Sequence, residues 1–210
     1  IALLADGMGG HSAGEVASRT AIDTASAILR QTTRGISPHE RLETALQAAH
    51  SVIREKSRHS IRCRGMGTTF VATLIESGYL HHAHVGDSRL YLLRDHKVTA
   101  LTHDHSLLRE FIDQGFYTRE EALEKVSRNI LTRALGLEPH IVIDYDYIKI
   151  NKGDRFLICS DGLYDMLSEH EIAALLGRSH DVEGTALDML ELANARRSTD
   201  NVSVIVIAGF

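Results

Sequence analysis

Thr69-Phe-Val-Ala-Thr-Leu-Ile-Glu76, Tyr79-Leu-His-His-Ala-His-Val85, Arg89-Leu-Tyr-Leu-Leu-Arg94 and Lys97-Val-Thr-Ala-Leu101 follow one another with only Ser77-Gly78, Gly86-Asp-Ser88 and Asp95-His96 between them. The runs are short, rich in β-branched and aromatic side chains, and bounded by residues that tolerate tight turns. They predict four strands in an antiparallel meander. Upstream, Ile1-Ala-Leu-Leu-Ala5 reads as a buried strand, and Ser12 through Glu15 supplies a capping box for a helix with apolar positions at 16/17, 20/21, 24/25 and 28/29. Ser37-Pro-His-Glu40 launches a second helix, with Leu42, Ala45, Leu46, Ala49 and Ile53 on one face. Downstream, residues 105 to 135 turn helical and polar around a Thr118-Arg-Glu-Glu121 cap. Strands Ile141–Ile150 and Arg155–Ser160 follow, then a helix capped by Ser168-Glu-His-Glu171, another over Val182–Ala195, and a last strand Asn201–Ala208. Strands in tight succession with helices arriving in pairs do not make the strict alternation of a parallel doubly wound sheet. An antiparallel sandwich covered by helices is expected.

Composition narrows the function. A chain of 210 residues fits one domain that needs no disulfide or structural metal to hold its core. Apolar runs such as Val202–Ala208 are far shorter than the roughly 20 residues of a membrane span, and no basic-then-apolar leader opens the chain, so a cytoplasmic protein without a membrane span is expected, as a monomer. Cys63 and Cys159 stand too far apart to form a ligand pair and read as idle thiols. A net charge of −5 with no basic tract leaves no electrostatic footprint for nucleic acid.

Three aspartates take comparable places. Asp6 closes the first strand, Asp161 closes Arg155–Ser160, and Asp200 immediately precedes the last strand. Each is followed by glycine or asparagine, which also suits a hairpin turn. A hairpin needs a strand on both sides, yet Asp6-Gly7 runs into Met8-Gly-Gly-His11 and a capped helix, and Asp161-Gly162 into Leu163-Tyr-Asp-Met-Leu167 and another cap. Two uses stay open on the residues alone: carboxylates gathered around a metal, or aspartates serving turns and caps. Asp87, in Gly86-Asp-Ser-Arg89, reads more simply as a turn between strands.

Seven motifs then stand in order: Asp6-Gly-Met-Gly-Gly10, Gly65-Met-Gly-Thr-Thr69, Val85-Gly-Asp-Ser-Arg89, Leu101-Thr-His-Asp-His-Ser106, Ile130-Leu-Thr-Arg-Ala-Leu-Gly136, Ser160-Asp-Gly-Leu163 and Asp200-Asn-Val-Ser203. Together they resemble the metal-dependent protein phosphatases, the type 2C class in its bacterial form, over nearly the whole chain. The resemblance implies an α+β fold, a four-layer α-β-β-α sandwich of two antiparallel sheets flanked by helix pairs, with a helical flap subdomain at about 105–136. It implies two manganese or magnesium ions. Asp6 would bridge them, the Gly7 carbonyl would bind one, and Asp161 and Asp200 would hold the other. Asp87 would join Asp161 around a weaker third ion. The implied reaction is hydrolysis of phosphoserine and phosphothreonine in other proteins by a metal-activated water, opposing a bacterial Ser/Thr kinase. Hard oxygen donors suit these ions, and a pair of them can activate water and neutralise phosphoryl charge.

Some positions depart from the pattern. Family members that carry histidine after the first Asp-Gly use it to protonate the leaving oxygen; Met8 stands there, which leaves the general acid unassigned, with His11 only a near neighbour. The family's segment before the first strand, with its phosphate-binding arginine, is expected upstream of Ile1. His81-His-Ala-His84 puts His82 and His84 on one strand face, a weak zinc signal on a strand expected to be half exposed. Arg128 and Arg133 read as solvated surface near the substrate side. Two rival functions accompany the phosphatase: a phosphatase-like regulatory or binding module without catalysis, and a two-metal phosphodiesterase, whose substrate would need a basic channel that the acidic composition lacks.

Overall fold

The structure is a computed structural model that describes every residue except 32–34 and 179–180; the side chain of His11 also lies outside it. Along the chain run β1 (Ala2–Leu4), β2 (Gly7–Met8), α1 (His11–Leu29), α2 (Pro38–His59), β3 (Gly67–Thr68), β4 (Phe70–Glu76), β5 (Tyr79–Val85), β6 (Arg89–Arg94) and β7 (Lys97–Ala100). There follow α3 (Leu107–Asp113), α4 (Arg119–Lys125), β8 (Asp144–Lys149), β9 (Arg155–Cys159), α5 (Asp161–Tyr164), α6 (Glu169–Arg178), α7 (Val182–Ala195) and β10 (Val204–Ile207). Among the described residues the strands form two four-stranded antiparallel sheets, β1-β4-β5-β8 and β10-β9-β6-β7, and a two-stranded ribbon of β2 with β3.

The four strands of the opening stretch are all present, but they are not one meander. β4 pairs with β5, Phe70 opposite Val85, and β6 pairs with β7, Arg94 opposite Lys97. β5 and β6 belong to different sheets, with β8 and β9 as their next neighbours. The Gly86-Asp87-Ser88 link is therefore a step from one sheet to the other. Side-chain alternation explains the split, because β4, β6 and β9 carry apolar side chains on both faces. Leu90, Leu92, Phe156 and Ile158 point toward Leu4, Val71 and Leu80 across the gap between the sheets. On the outer faces Phe70, Ala72 and Leu74 meet α1 and α2, while Tyr91, Leu93, Leu157 and Cys159 meet α6 and α7. Three buried clusters thus separate four layers.

The helices form where caps and periodicity predict them, with one correction. Ser37 and Glu40 exchange bonds in a full capping box, Thr118 and Glu121 do the same for α4, and the Ser168 hydroxyl and Glu171 pair at the start of α6. Ser12-Glu15 makes no such box: α1 begins at His11, its N-cap is Gly10, and no side chain among the described residues caps it. The small Ala17, Ala21 and Ala25 let α1 lie close against Leu42, Ala45, Leu46 and Ala49 of α2 over the first sheet. Three boundaries shift. β1 stops at Leu4, β8 starts at Asp144 and β10 at Val204, so Asp6 and Asp200 sit in loops beyond strand ends. Only Leu107–Asp113 and Arg119–Lys125 of the polar excursion are helical.

Candidate active site

Four aspartates from four connections meet at one end of the sandwich. Asp6 lies between β1 and β2, Asp87 on the step between sheets, Asp161 at the first turn of α5 after β9, and Asp200 before β10. The short β2 begins at Gly7, directly after Asp6, but it pairs with β3 and not with β1, so no hairpin forms there.

Threonines of the Gly-Thr-Thr segment hold the backbone of Asp6. Its N–H donates to Thr69 Oγ1 at 3.0 Å, and its carbonyl accepts from Thr69 N–H and from Thr68 Oγ1, both at 2.8 Å. Thr69 Oγ1 then meets Ser88 Oγ at 2.7 Å, which ties the loop of Asp6 to the link carrying Asp87. At Gly7 a Cβ would lie 2.0 Å from the Gly14 carbonyl oxygen of α1, so only glycine lets this strand pass the helix. The other half is laced in the same way. Ser160 Oγ donates to the Asn201 carbonyl at 3.2 Å and accepts from Ser203 N–H at 3.0 Å, which binds the loop of Asp200 to the end of β9. Asp200 turns its own loop, its Oδ1 accepting from Asn201 N–H at 2.7 Å.

The carboxylates feel one another. Burial pushes Asp6 up to about 7, and the neighbouring Asp161, Asp200 and Asp87 add to the push. Asp87 also rises to about 7, through burial, Asp161 and Asp104, while a hydrogen bond from Tyr164 pulls the other way. Asp161 is raised by burial first and Asp200 second. Such mutual repulsion at the end of a folded core opposes stability unless cations answer it. Asp161 Oδ1 is, in addition, buried without a hydrogen-bond partner among the described residues. An orphaned carboxylate oxygen among repelling carboxylates, with no thiolate or imidazole in the set, fits hard divalent cations such as manganese and magnesium.

Beside Asp161 opens a cavity of about 140 Å³, walled by Asp87, Tyr164 and, from the excursion, Arg109, Arg119 and Arg128. Arg128 reaches Asp165 at 3.6 Å and so joins the site. Arg133 instead turns to Asp144 at 2.9 Å. Met8 stands half buried on β2 opposite Gly67. Tyr164 escaped the sequence reading. It bonds Asp87 and covers the Arg89 guanidinium at 3.6 Å from its ring centre, and its place directly after Asp161-Gly-Leu163 was the only signal available.

The histidine run is not half exposed. His82 and His84 each retain 3% exposure, facing the gap between the sheets, because β5 lies inside its sheet and not at its edge. His84, His105 and Asp144 bring potential ligand atoms within 4.8 Å of one another, a grouping that sequence spacing had not supplied.

A four-layer sandwich whose connecting loops gather carboxylates over a cleft defines a class of metal-assisted hydrolase. The chain belongs to the protein phosphatase 2C family, whose pattern it matches over residues 1–195. It is 36% identical to the serine/threonine phosphatase stp of Listeria monocytogenes serotype 4b, a match spanning 99% of this chain and 83% of that protein. With the serine/threonine protein phosphatase PstP of Mycobacterium tuberculosis it shares 39% identity over 97% of this chain and 39% of the longer relative. A structure of the catalytic domain of PstP in complex with two manganese ions superimposes with a TM-score of 0.86 at 38% identity, covering 97% of this chain and 85% of that one. The serine/threonine phosphatase of S. agalactiae superimposes with a TM-score of 0.92 at 32% identity, over 99% and 86% of the two chains.

Proposed function

We infer that this chain is a protein serine/threonine phosphatase that hydrolyses phosphoserine and phosphothreonine with the help of manganese or magnesium. The convergence of Asp6, Asp87, Asp161 and Asp200 from distant stretches carries the reading, and the relatives' phosphatase activity supports it. Asp6, the Gly7 carbonyl, Asp161 and Asp200 would hold two ions, and Asp87 with Asp161 would hold a weaker third. When bound, the ion pair supplies an activated water for in-line attack and neutralises charge on the phosphoryl oxygens. Thr68, Thr69 and Ser160 hold the loops that would present the carboxylates to the ions. The cavity beside Asp161 receives the phosphorylated side chain; Arg89, Arg109, Arg119 and Arg128 line it together with Asp87, Asp104, Asp161 and Asp165, so these charges balance and the bound cations would supply the attraction for the phosphate.

Residues 105–136 serve as the flap of a single catalytic domain. The chain acts in the cytoplasm as a monomer and opposes a Ser/Thr kinase; no helix among the described residues is long and apolar enough to cross a membrane. Met8 favours a second reading, a regulatory module without catalysis, because it offers no proton to the leaving oxygen. One assay separates the two: hydrolysis of a phosphothreonine peptide with manganese, with and without chelator, for the wild type and Asp161→Asn. The phosphatase reading expects metal-dependent turnover reduced at least about 100-fold in the variant. Metal binding without turnover by the wild type would leave the module.

A further inference from the structure

The link that carries Asp87 is held from outside its own loop. Gly86 donates its backbone N–H to His105 Nδ1 at 3.1 Å, and His105 returns its own N–H to the Gly86 carbonyl at 3.0 Å. Gly86 stands at φ +100°, and a Cβ there would lie 2.7 Å from Thr69, so the step between sheets is open to glycine alone. Glycine is also the residue with the most freedom to lose. The link takes one shape only where its neighbours impose it.

The imidazole that imposes it is itself fixed. His105 is 4% exposed and stacked on His84, ring centres 4.8 Å apart and planes 16° from parallel. Its Nε2 meets Asp144 Oδ2 at 3.2 Å, and Asp144 Oδ1 accepts from Arg133 at 2.9 Å. β8 sets Asp144 directly across from His84. Because Nδ1 accepts from Gly86, the ring proton sits on Nε2 and is donated to Asp144. That proton also decides against an ion among His84, His105 and Asp144. Coordination at Nε2 would drive the proton onto Nδ1, against the Gly86 N–H, and the Arg133 guanidinium lies 3.3 Å from the same nitrogen.

We propose that His105 is a positioning residue for Asp87, a neutral imidazole that clamps Gly86 and is oriented by the Arg133–Asp144 pair. The proposal rests on reading Asp87 as a ligand of the weaker third ion. Through this relay, the end of the flap and the start of β8 set how firmly that ion is held.

The test is manganese binding by calorimetry on the whole chain, for the wild type, Asp87→Asn, His105→Leu, His105→Asn and Asp144→Ala. Asparagine carries its amide oxygen close to the place of Nδ1, so it can accept from Gly86 although it cannot reach Asp144. His105→Leu is expected to weaken the third ion about tenfold while sparing the tight pair, with His105→Asn recovering most of the loss. Asp144→Ala, at a partly exposed position, is expected to weaken the same ion about threefold. Selective loss of one binding event is a signature that general destabilisation does not produce. If Asp87→Asn binds all its manganese as the wild type does, the reading of Asp87 fails. If Asp87→Asn loses the weak event while His105→Leu keeps it, or if the leucine and asparagine variants are equally impaired, that reading survives and the clamp is overturned.

Discussion

Asp161 illustrates how one side chain can work against the fold and for the site. Its buried Oδ1 lacks a hydrogen-bond partner among the described residues, and it faces Asp6 and Asp200 at the end of β9. In metal-free protein that charge is a cost, and with cations bound it becomes attraction. Asp161→Asn keeps the shape and removes the charge, so melting in chelator should rise by about 2–4 °C, the effect of roughly 1 kcal/mol in a domain of this size. Manganese, which should raise the melting temperature of the wild type, should do little for the variant. A variant that melts lower in chelator would mean that the carboxylate is a structural partner and not a vacant ligand. The aspartates were legible in the sequence as candidates because strand ends and helix starts flank them. Their grouping was not, since turn, cap and ligand draw on the same residue type.

Elements carry the next layer of meaning. α2 could be read to its first residue because Ser37, Pro38 and Glu40 each supply a distinct local signal, and all three are used. α1 could not: Ser12 and Glu15 have the spacing of a box, but the chain leaves β2 through Gly10 at φ +84° and is already helical at His11. The link between β5 and β6 is the sharper case. Its composition is that of a hairpin, and nothing local distinguishes a turn within one sheet from a step between two. Gly86→Ala tests what that step requires. A methyl group 2.7 Å from Thr69, on a backbone with positive φ, should cost about 2 kcal/mol or more in a denaturant titration and should lower phosphatase activity through displacement of Asp87. Unchanged stability would show that the step is looser than its contacts imply.

At the scale of the molecule, histidines closed between the layers tune the response to acid. His82 is held down at about 4, chiefly by burial and then by His84, and its Nδ1 has no hydrogen-bond partner among the described residues. Unfolded, it binds a proton near its ordinary value of 6.5; folded, it does not until about 4. The unfolded chain therefore holds more protons across that window, and the stability due to neutral His82 is complete above 6.5 and is lost as pH falls toward 4. Asp6 and Asp87, both raised to about 7, act with opposite sign when no metal is present, so the wild type alone would mix the two effects. The difference between wild type and His82→Leu isolates the histidine. Chemical denaturation should show that difference shifting by about 3 kcal/mol in favour of the variant between pH 7.5 and pH 4. A difference independent of pH would mean that His82 takes up its proton while folded.

Local chemistry in the chain was enough to establish the long helices and the core strands, the aspartates as candidates shared by turn, cap and ligand, and through the order of seven motifs the family itself. These follow from backbone preference and side-chain periodicity, which act over a few residues and so are written in consecutive positions. Tertiary structure alone decided that the strand run divides between two sheets, that His82 and His84 are buried between them, and that His105 grips the glycine before Asp87. Each of those depends on which surfaces meet across the core, and buried apolar faces can satisfy that demand in more than one way until the whole chain has closed.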